Sequence, residues 1–96
     1  MTYADLQQAL AVFGLDGRAT LREIKARHRA IVKECHPDLG GQDPEKIRLV
    51  NAAYRTILSY VENYRFSFAE EEFYEQNPEE RLRRQFFGDP LWGGGK

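Results

Sequence analysis

The feature that most constrains this chain is a short segment that interrupts two long helical patterns. The segment runs from Cys35 to Gly41 and contains a proline followed by two successive glycines. Proline disfavours the helical conformation of the residue before it, so the incoming helix should stop near Cys35. Gly40 and Gly41 allow the chain to reverse. The sequence therefore predicts two long helices joined by a stiff loop that carries His36 and Asp38.

Capping signals predict two helices before this loop. Each helix begins after a threonine that has an acidic residue three positions later. This pattern predicts a helix start, because the two side chains can bind the first free backbone amides. The first helix is predicted over Tyr3–Phe13 and ends at Gly14, and the second runs from Leu21 to about Cys35. The threonine–acid pairs are Thr2 with Asp5 and Thr20 with Glu23.

The second helix combines an apolar stripe with a row of cations. Apolar residues at three- and four-residue spacing predict one buried face, and cations at the same spacing form a positive row on a neighbouring face. The buried stripe is Leu21, Ile24, His28, Ile31 and Cys35. The row, called the cationic ridge below, is Arg22, Lys25, Arg29 and Lys33. We interpret His28 as a core histidine whose ring nitrogens find partners, rather than as a ligand.

A third helix is predicted after the loop. Asp43 and Pro44 are typical of an N-cap and a first helical residue, and the helix runs to about Tyr60 or beyond. Its main apolar face consists of Ile47, Val50, Tyr54, Ile57, Leu58 and Val61. A weaker apolar stripe on roughly the opposite side consists of Leu49, Ala53, Thr56 and Tyr60. The weaker stripe requires a second packing partner.

Residues 67–96 are predicted to supply that partner as a C-terminal helical extension. Ser67 with Glu70, and then Asn77-Pro78, indicate two short helices at about 68–76 and 78–87. We expect the extension to dock on the third helix. In the alternative interpretation, its large apolar residues form a surface for a client or partner protein, with Phe86, Phe87, Leu91 and Trp92 as the candidates.

No strand-like alternation occurs, so the predicted fold class is all-α. It consists of an antiparallel hairpin of the second and third helices, a short N-terminal helix and one or two short C-terminal helices. A composition of 42% hydrophobic and 30% charged residues argues against disorder. A single cysteine and the absence of an apolar leader predict a cytoplasmic protein. A net charge of −1 and the lack of long apolar runs predict neither general nucleic-acid binding nor a membrane span.

The stretch from Leu10 to Tyr60 resembles a J domain, the module of DnaJ-type co-chaperones. His36-Pro37-Asp38 matches the defining tripeptide of that family and stands between the two long helices. The motifs that support the match are Phe13-Gly14-Leu15, Ala19-Thr20-Leu21-Arg22-Glu23-Ile24-Lys25 and Val50-Asn51-Ala52-Ala53-Tyr54. The resemblance implies a J domain over residues 1–66, with residues 67–96 as an extension.

The resemblance also implies a function. J domains stimulate ATP hydrolysis by a DnaK-type (heat-shock-seventy class) chaperone. By similarity, His36 and Asp38 would trigger the chaperone's ATPase, and Pro37 would hold the loop in shape. The cationic ridge would meet an acidic surface of the chaperone's nucleotide-binding domain, and Tyr54 would lie in the core. No client-binding domain follows the J-like stretch, which favours a specialised co-chaperone that delivers one partner.

Two other functions are weighed beside this one. One is a J-like scaffold or adaptor that does not stimulate an ATPase, and the other is a small helical nucleic-acid-binding protein that uses the basic second helix. A nucleophilic Cys35–His36 pair is not expected, because no third orienting group is evident. A metal site from His28, Cys35, His36 and Asp38 fits no known zinc spacing. We therefore expect neither an enzyme nor a bound cofactor or metal.

Overall fold

The chain forms five helices in the part that a computed structural model describes, residues 1–35 and 43–87. They are α1 (Tyr3–Phe13), α2 (Leu21–Glu34), α3 (Pro44–Glu62), α4 (Glu70–Gln76) and α5 (Pro78–Phe87). No strand occurs in these ranges, and α2 and α3 form a helical hairpin. The predicted all-α fold class is confirmed.

The chain divides into two compact units, with the boundary between Tyr64 and Arg65. The first unit contains α1, α2 and α3, and the second contains α4 and α5. The boundary predicted from the sequence lies two residues later, between positions 66 and 67. The docking of the C-terminal extension on the third helix stays a prediction.

Both threonine capping boxes form as predicted. In α1 the Thr2 hydroxyl accepts the Asp5 amide at 3.1 Å, and the Asp5 carboxylate accepts the Thr2 amide at 2.9 Å. In α2 the corresponding distances for Thr20 and Glu23 are 3.1 and 2.7 Å. The hydrogen bond from each threonine backbone amide, followed by that of its hydroxyl, holds the pKa of both carboxyl groups below the ordinary value, because these bonds favour the ionised form.

Two further helix ends agree with the sequence signals. Gly14 ends α1 with a φ of 66°, a left-handed conformation that costs glycine little, and its N–H donates to the Ala11 carbonyl at 3.2 Å. The Asp43 carboxylate accepts the Lys46 amide at 3.1 Å, which caps α3 in front of Pro44. The end of α1 and the start of α3 are therefore set by the residues that the sequence signals indicate.

The predicted capping box at Ser67 and Glu70 is wrong. The helix begins at Glu70, so the N-cap is Ala69, and Glu70 occupies the first helical position rather than the third. The Ser67 hydroxyl instead accepts the Ala69 amide in a local turn at 3.3 Å. Glu70 pairs with Arg84 of α5 at 2.6 Å.

The core of the first unit lies where α1, α2 and α3 meet. α1 packs along α3 more extensively than α2 does, and α2 touches both. The buried side chains are Ala9, Phe13, Ile24, Ile31, Cys35, Val50, Ala53 and Ile57. Phe13 is completely buried. Its position at the end of α1 makes it the meeting point of the three helices.

The structure corrects the predicted faces at two residues. Leu21, assigned to the buried stripe of α2, is 43% exposed because the first residue of the helix lies beyond the turn that packs on its neighbours. Ala53, assigned to the weaker stripe of α3, is buried with Val50 and Ile57 because their three- and four-residue spacing puts them on one face. Leu49 and Tyr60 of that weaker stripe are exposed.

We expect Phe13→Ala to lower the free energy of unfolding by about 3–5 kcal/mol, because it leaves a cavity in the core. The measurement is chemical denaturation followed by circular dichroism. Phe68→Ala is the matched control: Phe68 is 94% exposed, and its loss should change stability by about 0.5 kcal/mol or less. Equal effects of the two substitutions would contradict the assignment of Phe13 to the core.

We expect the capping box of α2 to make stability depend on pH. Because the pKa of Glu23 is lowered on folding, its stabilisation is present above the pKa of an ordinary glutamate and is lost as the pH falls through the lowered value. The stability difference between the wild type and Glu23→Gln should therefore shrink on acidification from about pH 5 to pH 3. Denaturation at several pH values measures it. Glu71→Gln, in the second unit, is the control, and a constant difference for Glu23→Gln would refute the expectation.

Candidate functional site

The cationic ridge lies on the exposed side of α2. All four of its side chains are exposed, and the row extends over about 16 Å of helix. None of them forms an ion pair with a carboxylate in residues 1–35 or 43–87. Glu23, the neighbour of Arg22, is held in the capping box by Thr20. The positive charge of the ridge is thus not neutralised by the described part of the chain.

Three nearly parallel rings lie where α2 meets the other two helices. The His28 ring stacks on the Tyr54 ring with centroids 3.8 Å apart and an angle of 5°. The Phe13 ring lies 6.1 Å from His28 and 6.0 Å from Tyr54. Stacked aromatic rings add to the free energy of burying their surface. This arrangement joins one residue from each of the three helices.

His28 also forms a polar contact with α3. Its Nε2 lies 3.2 Å from the Asn51 Oδ1, so the half-buried ring has a partner. The predicted partner is present for one ring nitrogen, and the ring lies at the edge of the core rather than within it. Asn51 was given no role in the sequence analysis, although it stands one helical turn before Tyr54 and therefore on the same side of α3.

Arg27 makes a contact that the sequence analysis did not predict. Its Nε donates to the Phe13 carbonyl at 2.7 Å, which satisfies a free acceptor at the end of α1. Its Nη2 lies 2.9 Å from the point where a side chain at Gly14 would begin, so the absence of a Cβ leaves room for the guanidinium. No local signal could reveal this contact, since the partners are 14 residues apart.

The tripeptide itself lies outside the described residues. This applies to His36, Pro37 and Asp38. The structure describes the helix ends on both sides: α2 stops at Glu34 with the buried Cys35 as its C-cap, and α3 starts at Pro44. The end of the cationic ridge, Lys33, comes three residues before the tripeptide. The two groups of predicted site residues therefore adjoin along the chain.

Only two of the four large apolar residues predicted as a partner surface lie in the described ranges. Phe86 is 49% and Phe87 is 66% exposed, whereas Leu91 and Trp92 lie outside the described ranges. No side chain of α4 or α5 is buried. The two helices are joined by Arg84, which binds Glu70 and lies 5.5 Å from the centroid of the Tyr74 ring. Polar and cation–π contacts rather than a buried core hold this hairpin together.

Two other kinds of site are absent from residues 1–35 and 43–87. No group of three or more His, Cys, Asp or Glu side chains in these ranges could hold a metal ion. Their helices are all too short or too polar to cross a lipid bilayer.

Comparison with known proteins gives no match. No protein-family model, no curated protein and no solved structure matches the chain. The resemblance to J domains rests on the residues and their spacing.

We expect the His28–Asn51 contact to couple α2 to α3 by about 0.5–1.5 kcal/mol, the range of a typical protein hydrogen bond. A double-mutant cycle with His28→Phe and Asn51→Ala measures this coupling by denaturation. Gln7→Ala, on the exposed side of α1, replaces Asn51→Ala in the control cycle and should show no coupling to His28→Phe. Additive effects of His28→Phe and Asn51→Ala would show that the contact contributes nothing.

Proposed function

We propose that this chain is a DnaJ-type co-chaperone that binds a DnaK-type chaperone and stimulates its ATP hydrolysis. The observation that carries the proposal is the position of His36-Pro37-Asp38. The tripeptide directly follows a helix with an exposed cationic ridge and precedes a second helix that packs against the first. Both determinants of the J-domain resemblance thus occur in one continuous stretch.

The physical properties of the two determinants support different roles. Exposed charges mainly accelerate and orient the encounter with an oppositely charged surface, and their effect weakens with salt. The ridge is suited to that role because its cations are exposed and lack ion pairs with the described carboxylates. We assign Arg22, Lys25, Arg29 and Lys33 to docking on an acidic surface of the chaperone's nucleotide-binding domain.

The loop is suited to a directional contact. Its first flanking residue, Cys35, is buried in the core, and Asp43 on the other side caps α3. A short loop clamped between two helices can present a few polar groups at a low cost in conformational entropy. We assign His36 and Asp38 to triggering ATP hydrolysis on the chaperone, and Pro37 to holding the loop. The co-chaperone itself contributes no catalysis and acts in the cytoplasm.

The second unit is proposed to give the co-chaperone its client. Its exposed aromatic side chains are of the type that dominates protein interfaces. Phe86, Phe87, Leu91 and Trp92 are the candidates for contact with a client or partner protein. This part of the proposal can fail without affecting the role of the tripeptide.

A single-turnover ATPase assay tests the proposal. A DnaK-type chaperone from the same source is mixed with the wild type or with His36→Gln, and circular dichroism confirms that the variant is folded. We expect stimulation by the wild type and its loss in the variant. Absence of stimulation by the wild type, or equal stimulation by both, contradicts the proposal, and binding without stimulation favours a scaffold.

The ridge provides a second arm of the same experiment. Lys25→Glu and Arg29→Glu should each raise the concentration of this protein that gives half-maximal ATPase stimulation, on the order of three- to tenfold at low salt. The increase should be smaller at high salt, because salt screens exposed charges. Arg55→Glu, an exposed position on α3, is the matched control for the charge change.

The exposed cations of the ridge also fit the phosphate backbone of a nucleic acid, which is the second candidate. Binding of duplex DNA that is indifferent to His36→Gln but weakens stepwise as each cation is removed would favour that class.

A further inference from the structure

The orientation of α2 depends on more than apolar packing. α2 buries Ile24 and Ile31, and its C-cap residue Cys35 is also buried, but the helix packs on α3 less extensively than α1 does. Burial of a one-sided apolar stripe turns that face toward the core, but it sets the rotation of the helix about its own axis only coarsely, because apolar burial is non-directional. Directional contacts are needed to fix that rotation.

Two adjacent residues of α2 supply such contacts to two different helices. Arg27 donates to the Phe13 carbonyl of α1 at 2.7 Å, and His28 meets Asn51 of α3 at 3.2 Å. Hydrogen bonds weaken steeply when their angles are distorted. Because neighbouring residues point about 100° apart around a helix, the two bonds restrain the rotation of α2 from two sides.

We propose that Arg27 is a positioning residue for the cationic ridge. It acts through the Phe13 carbonyl, which fixes the rotation of α2 and therefore the direction in which the ridge faces. A rotation of 20° displaces the ridge charges by about 2 Å, given a helix radius of about 5–6 Å with side chains. That displacement is enough to break an ion pair with a partner surface. The consequence for chaperone binding rests on the proposed function, whereas the structural role does not.

The role predicts a specific change in the ATPase titration. Without the bond, only a fraction of the molecules hold the ridge in the competent rotation, and the apparent dissociation constant rises by the reciprocal of that fraction. A competent fraction of a tenth to a half raises the half-saturating concentration about two- to tenfold. The maximal stimulated rate stays unchanged, because at saturation every chaperone molecule is bound to a molecule of this protein in which α2 has the competent rotation.

Two variants separate the hydrogen bond from the charge of Arg27. In Arg27→Gln the side-chain amide nitrogen is as many bonds from Cα as Nε of arginine, so the donor is kept while the charge is lost. Arg27→Met is also neutral and of similar length but has no donor. We expect Arg27→Met to raise the half-saturating concentration at an unchanged maximal rate, and Arg27→Gln to remain near the wild type. Equal losses in the two variants, or no loss in either, would overturn the proposal.

A second readout does not require the chaperone. Residual dipolar couplings of backbone amides report the orientation of α2 relative to α1 and α3. We expect altered couplings confined to α2 in Arg27→Met and wild-type couplings in Arg27→Gln. If the wild type fails to stimulate the ATPase, the proposed function fails, and this measurement still decides the role of Arg27. Unaltered couplings in Arg27→Met overturn it.

Discussion

The first unit depends on the burial of one side chain, Phe13. Its ring is completely buried and lies against His28 and Tyr54, while its carbonyl accepts a hydrogen bond from Arg27. Burying a phenylalanine contributes roughly 1.5–3 kcal/mol, and a hydrogen bond contributes about 1 kcal/mol. The ring therefore supplies most of the stabilisation, and the hydrogen bond to the carbonyl adds a directional contact between α1 and α2. One residue thus joins three helices through two different kinds of contact.

The exposed face of α2 that carries the cationic ridge lowers the stability of the helix. Neighbouring like charges at three- and four-residue spacing destabilise a helix by about 0.2–0.5 kcal/mol a pair, so the ridge costs about 1 kcal/mol in total. A helix selected for stability alone would interleave acids with these cations. The capping box and the core residues offset this cost. Under the proposed function, this cost is the consequence of keeping the row positive for an acidic partner surface.

Local signals predicted most of the helix ends that local chemistry determines, although the capping box at Ser67 and Glu70 was wrong. The pairs Thr2–Asp5 and Thr20–Glu23 act within four residues, and so does the glycine at position 14, so their effects can be read directly from the chain. Leu21 was assigned to the buried stripe although it is the first residue of α2, and Ala53 was assigned to the weaker stripe although its spacing from Val50 and Ile57 puts it on the buried face. The Arg27–Phe13 and His28–Asn51 contacts span 14 and 23 residues, and no short pattern encodes them. The four residues of the ridge were identified from the sequence, but the contacts of the neighbouring Arg27 and His28 were not.

The second unit, unlike the first, has helices without a buried side chain to stabilise them. Its helices have seven and ten residues, and helices of that length are marginal in water unless they are packed against something. The exposed ion pairs at Arg81, Arg83 and Arg84 each contribute about 1 kcal/mol or less. Such a hairpin gains stability chiefly when its aromatic side chains are covered. A partner protein of the proposed kind that covers them would hold these marginal helices in place, and part of its binding free energy would offset the cost of ordering them. Binding that is weakened by this ordering cost is readily reversible, as the proposed function would require.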